Sequence, residues 1–357
     1  MSQFSQRLIF GEKDVLLQDF RGTVLKTFKK SDFLTKKGCY SMKESLWGKI
    51  LGFFTKKGCY SVTESLLGKI SGKLLIEINV PIEVEVTFEA QINANVKGAI
   101  AHANAPGAEA HANARGAEAH ADADGAGSYA NVEGAKAHAN VDGAEAHANA
   151  PGAEAHANAP GAIARAHEEW AIAYADAPGA KAHGHEKWAI AHANAPGAEA
   201  HANVKDAIAH ANAKGAEAYA TAPEAEARAT VPEAKAYADV KGAIARATAP
   251  GAEAHANADG AKAYADVEGA KAYATAPGAI ARANFPGAEA HANAPGAEAH
   301  ADVEGAKAYA TAPGAIARAN FPGAEAHANA PGAEAHADVE GAKAYANAWR
   351  ALAIPLS

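Results

Sequence analysis

The sequence predicts an all-β chain: a two-sided β-solenoid of nine-residue repeats, with eighteen-residue coils and an alanine core, behind a small N-terminal α+β cap. Three observations predict it. The chain repeats with a fixed nine-residue period, alanine alternates with larger residues inside each period, and Pro-Gly punctuates the boundary between periods.

From Gly98 the chain reads GAIAHANAP, GAEAHANAR, GAEAHADAD, and continues so for 28 units to Trp349. The consensus is Gly-Ala-(Glu/Lys/Ile)-Ala-(His/Tyr/Arg)-Ala-(Asn/Asp/Thr)-(Ala/Val)-(Pro or charged). Gly opens 23 of the 28 units, and all 14 prolines within them stand at position nine, so each period has one corner. Residues 89–97 keep the phase with larger inward residues, Ile92 and Val96, and read as a first coil laid against a cap. Alanine is the best helix former, yet strict alternation scatters alanine around a helix instead of collecting it on one face. A proline inside a helix also costs about 3 kcal/mol. Strands and corners therefore win over helix.

Charge decides the coil length. The block 269–304 recurs identically at 305–340, which suggests a thirty-six-residue coil. That choice would stack Glu289 on Glu325 and Lys307 on Lys343, and like charges directly opposite are destabilising. A nine-residue coil would stack Glu289 on Glu298. In an eighteen-residue coil one face reads Lys235, Glu253, Lys271, Glu289, Lys307, Glu325, Lys343, and position five beside it alternates Tyr237, His255, Tyr273, His291, Tyr309, His327, Tyr345. Glu199 on Glu217 is the untidy exception. Twenty-nine units then make about fourteen and a half coils, a rod on the order of 70 Å at ~4.8 Å per coil.

Composition agrees. Half the chain counts as hydrophobic, but most of that is alanine and only 7% is aromatic, which excludes an ordinary globular core of this length. Net charge is -8, unevenly spread: residues 1–75 hold 14 Lys/Arg against 6 Asp/Glu, so +8, and the remainder carries -16. The acidic body argues against nucleic acid as a partner.

The basic head, residues 1–88, contains a tandem duplication, 35–54 and 55–74, matching at 14 of 20 positions. Each copy offers a capping box, Ser41 with Glu44 and Ser61 with Glu64, ahead of a short amphipathic helix. Met42, Leu46 and Ile50 line one helix; Val62, Leu66 and Ile70 line the other. Segment 75–88 alternates Ile and Val as a strand. The head is expected to cover the open end of the solenoid of residues 89–349. Contact with a membrane surface through Trp47, Phe53 and Phe54 is the second reading. Residues 350–357, RALAIPLS, are set apart as an apolar tail. Cys39 and Cys59 occupy equal positions of the duplication and read as core residues, not as a disulfide. No Sec-type leader or long apolar run of membrane-spanning length is present, which points to the cytoplasm or to a leaderless export route.

Two constellations are candidate sites. His102, His120, His138 and His156 would stack on four successive coils, where neighbouring imidazoles can share a transition metal. The second is a break in the pattern, His167-Glu168-Glu169-Trp170 and His185-Glu186-Lys187-Trp188, one coil length apart and so stacked at one corner. Glu168 and Glu186 take position eight, normally an inward Ala or Val, and unpaired carboxylates do not sit in an alanine core, so a bulge is expected there. The nine-residue period is shared with calcium-binding G-G-x-G-x-D repeats, but the second and third Gly and the Asp are missing. The repeats hold one serine, Ser128, no cysteine and no phosphate-loop or zinc motif, so neither an enzyme nor a cofactor is expected. The expected function is a structural rod or fibre that self-associates end to end. A binding module or exported effector holding a protein partner by a ladder face or the Trp170/Trp188 corner comes second. Ice binding comes third, since Thr221, Thr230, Thr248, Thr275 and Thr311 are too sparse for a regular row.

Overall fold

The computed structural model describes residues 4–10, 14–19, 24–29, 59–62, 73–79, 83–86 and 90–355. All regular structure among them is strand. The chain forms two compact units, residues 1–155 and 156–357, and each contains stacked parallel eighteen-residue coils.

Four-residue strands follow from the repeat. In each unit, positions three to six form the strand, as in Glu109–Ala112 and Ile163–Ala166. The flanking and intervening alanines point inward and are fully buried, as Ala162, Ala164 and Ala166 are. The corner is a hydrogen-bonded turn from position eight to position two, as in Ala108 N to Ala105 O at 3.0 Å. Pro at its second residue and Gly at its third, with φ near +70° at glycines such as Gly107, give it the signature of a type II turn. This places Pro at position nine and Gly at position one. Corners also bond from coil to coil, Gly98 N to Gly116 O at 3.0 Å for example.

In the first unit, His120 lies between His102 and His138, and Gly127 between Glu109 and Glu145, all in parallel register. In the second unit, one face runs Ile163, Lys181, Glu199, Glu217, Lys235, Glu253, Lys271, Glu289, Lys307, Glu325, Lys343. The opposite face runs Ile172, Ile190, Ile208, Glu226, Ile244, Lys262, Ile280, Glu298, Ile316, Glu334, Leu352. The alternating charge ladder is therefore real, and so is the Glu199–Glu217 exception, relieved by Lys181 at 3.1 Å from Glu199.

The described head is built from strands with a bulky core. Phe4–Phe10 lies parallel to Lys73–Ile78, which lies parallel to Ala90–Ala94. Asp14–Asp19 and Val24–Lys29 extend the same sheet as an antiparallel meander. Leu8, Phe10, Val15, Leu17, Phe28, Ile76, Ile78 and Ile92 are buried, replacing the alanine layer with larger side chains. The outermost described strand exposes Lys26 and Lys29.

One expectation for the head is corrected. Cys59–Val62 is a strand, paired in parallel with Glu83–Val86, so Ser61 and Val62 do not open a helix. Tyr60 pairs with Val84 and Ser61 with Glu85: an available sheet edge outweighs a local capping preference in a β-prone Cys-Tyr-Ser-Val stretch. Apart from residues 73 and 74, which open the strand Lys73–Ile78, the rest of both duplicated copies, including the Ser41 box, Trp47, Phe53 and Phe54, lies outside the described residues. At the other end, the segment set apart as a tail begins as one more coil. Arg350 takes the glycine position at φ 62°, and Leu352–Ile354 pairs with the strand starting at Glu334.

Candidate functional site

The second unit opens on the pattern break. After strand Ile163–Ala166, His167, Glu168, Glu169 and Trp170 turn the corner; one coil on, His185, Glu186, Lys187 and Trp188 do the same. The two histidine rings stack 5.2 Å apart at 10°, and the two indoles 5.6 Å apart at 7°. All seven predicted residues therefore share one edge. The expected bulge is absent: Ala171 N bonds Glu168 O and Ala189 N bonds Glu186 O, both at 3.1 Å, as in ordinary corners. Position eight lies at the rim of the core, where alanines such as Ala150 and Ala159 keep 8% exposure. A longer side chain there reaches water without moving the backbone, and Glu168 and Glu186 are exposed.

The tryptophans stand at position one, in the left-handed conformation that glycine otherwise takes, with φ 63° and 62°. An L side chain there costs roughly 1–2 kcal/mol. Two further coils on the same edge repeat the strain, at Asp206 (φ 63°) and Glu224 (φ 61°). Lys187 reaches over the Trp188 ring at 5.2 Å and pairs with Asp206 at 3.5 Å; Lys205 pairs with Glu224 at 2.9 Å. Four successive coils thus give up corner glycine for protruding side chains. Such strain gathers where the side chain is needed for something other than stability.

The face next to this edge was not singled out from the sequence. Ile172, Ile190 and Ile208 stack in register at position three, the longest isoleucine run on that face; beyond Ile208 charged residues interrupt it. Tyr174, His192 and His210 stack beside them at 5.1 and 5.0 Å. Wrapping the sequence at the coil length exposes this signal as three consecutive Ala-Ile-Ala strands. With Trp170 and Trp188, 58% and 39% exposed, the isoleucines form an apolar patch bordered by carboxylates. Its imidazoles are shifted toward the neutral form. Burial lowers the pKa of His192, and burial with neighbouring His192 and Arg228 pushes His210 down to about 4. Burial, then His167 and Arg165, lowers His185.

The histidine column divides between the units. In the first, His102, His120 and His138 stack at 4.5 and 4.7 Å. In the second, His156 stacks on Tyr174 at 4.6 Å, with Nδ1 3.0 Å from Asp176. Two groups bring ligand atoms within 4.8 Å of one another: His102, His120 and Asp122, and Glu118, His120 and His138. His102 Nδ1 lies 2.7 Å from Asp122 Oδ2, and Asn140 donates to Asp122 Oδ1 at 2.7 Å. Burial alone would raise the Asp122 carboxyl, but these hydrogen bonds outweigh it and hold it low. A hydrogen bond from His120 likewise lowers Glu118. Near-parallel rings aim their nitrogens side by side, whereas an ion with ~2.0–2.1 Å bonds needs them to converge. The arrangement favours a hydrogen-bonded ladder over a metal centre.

Ser128 and the threonines are likewise engaged with neighbouring strands. Ser128 is fully buried, and its one hydroxyl proton is shared between His138 O at 3.0 Å and Glu145 O at 3.3 Å. Each named threonine hydroxyl lies within hydrogen-bond distance of a carbonyl of the preceding coil, Thr221 at 3.2 Å from Ala202 O and Thr311 at 3.2 Å from Ala292 O. Comparison with protein-family models, with curated proteins and with solved structures finds no match to this chain.

Proposed function

We propose that the chain is a non-catalytic structural element, a stiff β-solenoid whose copies join end to end. One observation carries the reading: outward side chains are used mainly to bind coil to coil. In the second unit, ten aromatic rings from His183 to Tyr345 form one column at 4.7–5.0 Å. Beside them run the Lys/Glu ladder and an amide–hydroxyl ladder, with Thr275 donating to Asn257 at 2.6 Å and Asn347 to Asn329 at 2.8 Å. A coil that offers its neighbour the same backbone groups and matching columns accepts a coil of another copy on the same terms. Negative-stain electron microscopy with sedimentation of the full chain tests this. End-joined strings or fibres growing with concentration are expected; single particles at every concentration overturn the proposal.

A second reading is a binding module, favoured by the strained, exposed Trp170–Trp188 edge beside the isoleucine patch. Glycan and peptide arrays probed with the full chain and with a Trp170→Gly, Trp188→Gly variant separate the two. A ligand held by the first and lost by the second supports it; identical array profiles reject it. Ice binding has no support from a threonine row, since those hydroxyls are already hydrogen-bonded within the coil stack.

A further inference from the structure

The other edge of the second unit carries a different pattern, set by the duplicated block. At position eight, Val267, Phe285, Val303, Phe321 and Val339 follow one another on successive coils. Phe285 and Phe321 are each 42% exposed. At position nine the same coils read Glu268, Pro286, Glu304, Pro322 and Glu340, all exposed. The edge therefore alternates Asp-Val-Glu with Asn-Phe-Pro every coil. On the opposite edge the same block yields only Thr-Ala-Pro and Asn-Ala-Pro, small and uncharged.

The aspartates of this edge are occupied. Asp266, Asp302 and Asp338 lie 3.4–3.5 Å from Arg246, Arg282 and Arg318, and Asn284 and Asn320 donate to Asp266 and Asp302. Glu268, Glu304 and Glu340 form no ion pair among the described residues. Each phenylalanine is fixed at the start of a closed turn, with Ala288 N bonding Phe285 O and Ala324 N bonding Phe321 O at 3.0 Å. The result is an apolar ridge on hydrogen-bonded corners, with three carboxylates outside any ion pair along one flank.

Spacing selects the partner. Alternate coils lie about 9.6 Å apart at the usual strand separation of ~4.8 Å. A polyproline II segment advances ~9.3 Å in three residues. A strand repeats its face every ~6.8 Å and a helix every ~5.4 Å, so neither keeps step over two coils. We propose that this edge binds an extended basic segment of another protein in polyproline II conformation, with Lys or Arg at every third position. Three such cations meet Glu268, Glu304 and Glu340, and the prolines between them pack on Phe285 and Phe321. Proline against exposed aromatic rings is a known mode of recognition in aromatic-lined grooves, and a preformed polyproline II segment has little ordering entropy to overcome. The proposal stands apart from end-to-end assembly, since it uses a side edge of the coils.

The test is fluorescence anisotropy of a labelled peptide of three Lys-Pro-Pro repeats against the full chain. A peptide of the same composition with its lysines grouped at one end is the comparison. The expected result is saturable binding that weakens about ten-fold or more in Phe285→Ala, Phe321→Ala and in Glu268→Gln, Glu304→Gln. Alanine is the ordinary residue at position eight, so the phenylalanine variant keeps the coil, and circular dichroism checks it. Equal binding of the grouped peptide, indifference to the phenylalanine variant, or no binding would each overturn the proposal.

Discussion

Replacing Glu224 by glycine should stabilise the fold, although the change removes a side chain and its ion pair. Glu224 sits at φ 61° in a corner position that 23 glycines fill elsewhere at φ 65–81°. Relief of the left-handed conformation contributes roughly 1 kcal/mol, the low end for an L residue there. What is lost is the contact to Lys205 at 2.9 Å, but both side chains are more than half exposed, and such pairs contribute little. The net change favours the variant. Trp188→Gly gains the same backbone relief but forfeits the Trp170 stack, worth about 0.5–1.5 kcal/mol. It also forfeits the Lys187–ring contact, worth about 0.5–1 kcal/mol at an exposed site. That variant should be neutral to destabilised, and the difference between the two measures what the indole pair contributes. Thermal and guanidinium unfolding of the full chain, followed by circular dichroism, provides the assay. A lower melting temperature for Glu224→Gly would refute the left-handed corner and the strain argument built on it.

Three further outcomes follow from the same structure. Acid should destabilise the coils well before the carboxylates titrate: burial and neighbouring His201 and His185 push His183 down to about 3, and His210 is pushed to about 4. The unfolded chain takes up these protons near pH 6.5, so stability is full above that value and falls toward pH 4. His210→Gln should flatten the fall in a pH series of melting temperatures. Lys307→Glu sets three carboxylates in a row with Glu289 and Glu325, costing a few tenths to about 1 kcal/mol per like pair. Melting at low and at high salt checks this, since screening should remove most of the loss. Deleting residues 1–88 strips the strands that cover Ala90–Ala94 and Ile100–Ala103, and size-exclusion chromatography should show larger species than the full chain forms at the same concentration.

The coil length was legible because charge and ring type alternate from one eighteen-residue interval to the next between Lys235 and Tyr345, and only one register keeps unlike neighbours together. The stacked tryptophans followed from that spacing alone. Their conformation was legible too, since Trp170 and Trp188 stand where glycine otherwise opens the unit. The Ile172–Ile190–Ile208 column is invisible along the chain and plain once it is wrapped. The head was harder. Its capping boxes are local signals, whereas the strand Cys59–Val62 depends on pairing with Glu83–Val86, more than twenty residues away. Phe4–Lys29 alternates clearly enough for a meander, but its parallel partner Lys73–Ile78 is far along the chain.

The solenoid has two strands per coil, and one distance tests that most directly. Nitroxide labels at Lys235→Cys and Lys343→Cys, in a chain with Cys39 and Cys59 changed to serine, stand on one face of the second unit. Eighteen-residue coils place them six coils apart, about 29 Å at ~4.8 Å per coil. Pulsed electron–electron double resonance should show a narrow distribution near that value. A peak near ~14 Å, for thirty-six-residue coils, or near ~58 Å, for nine-residue coils, would contradict the register and every column built on it.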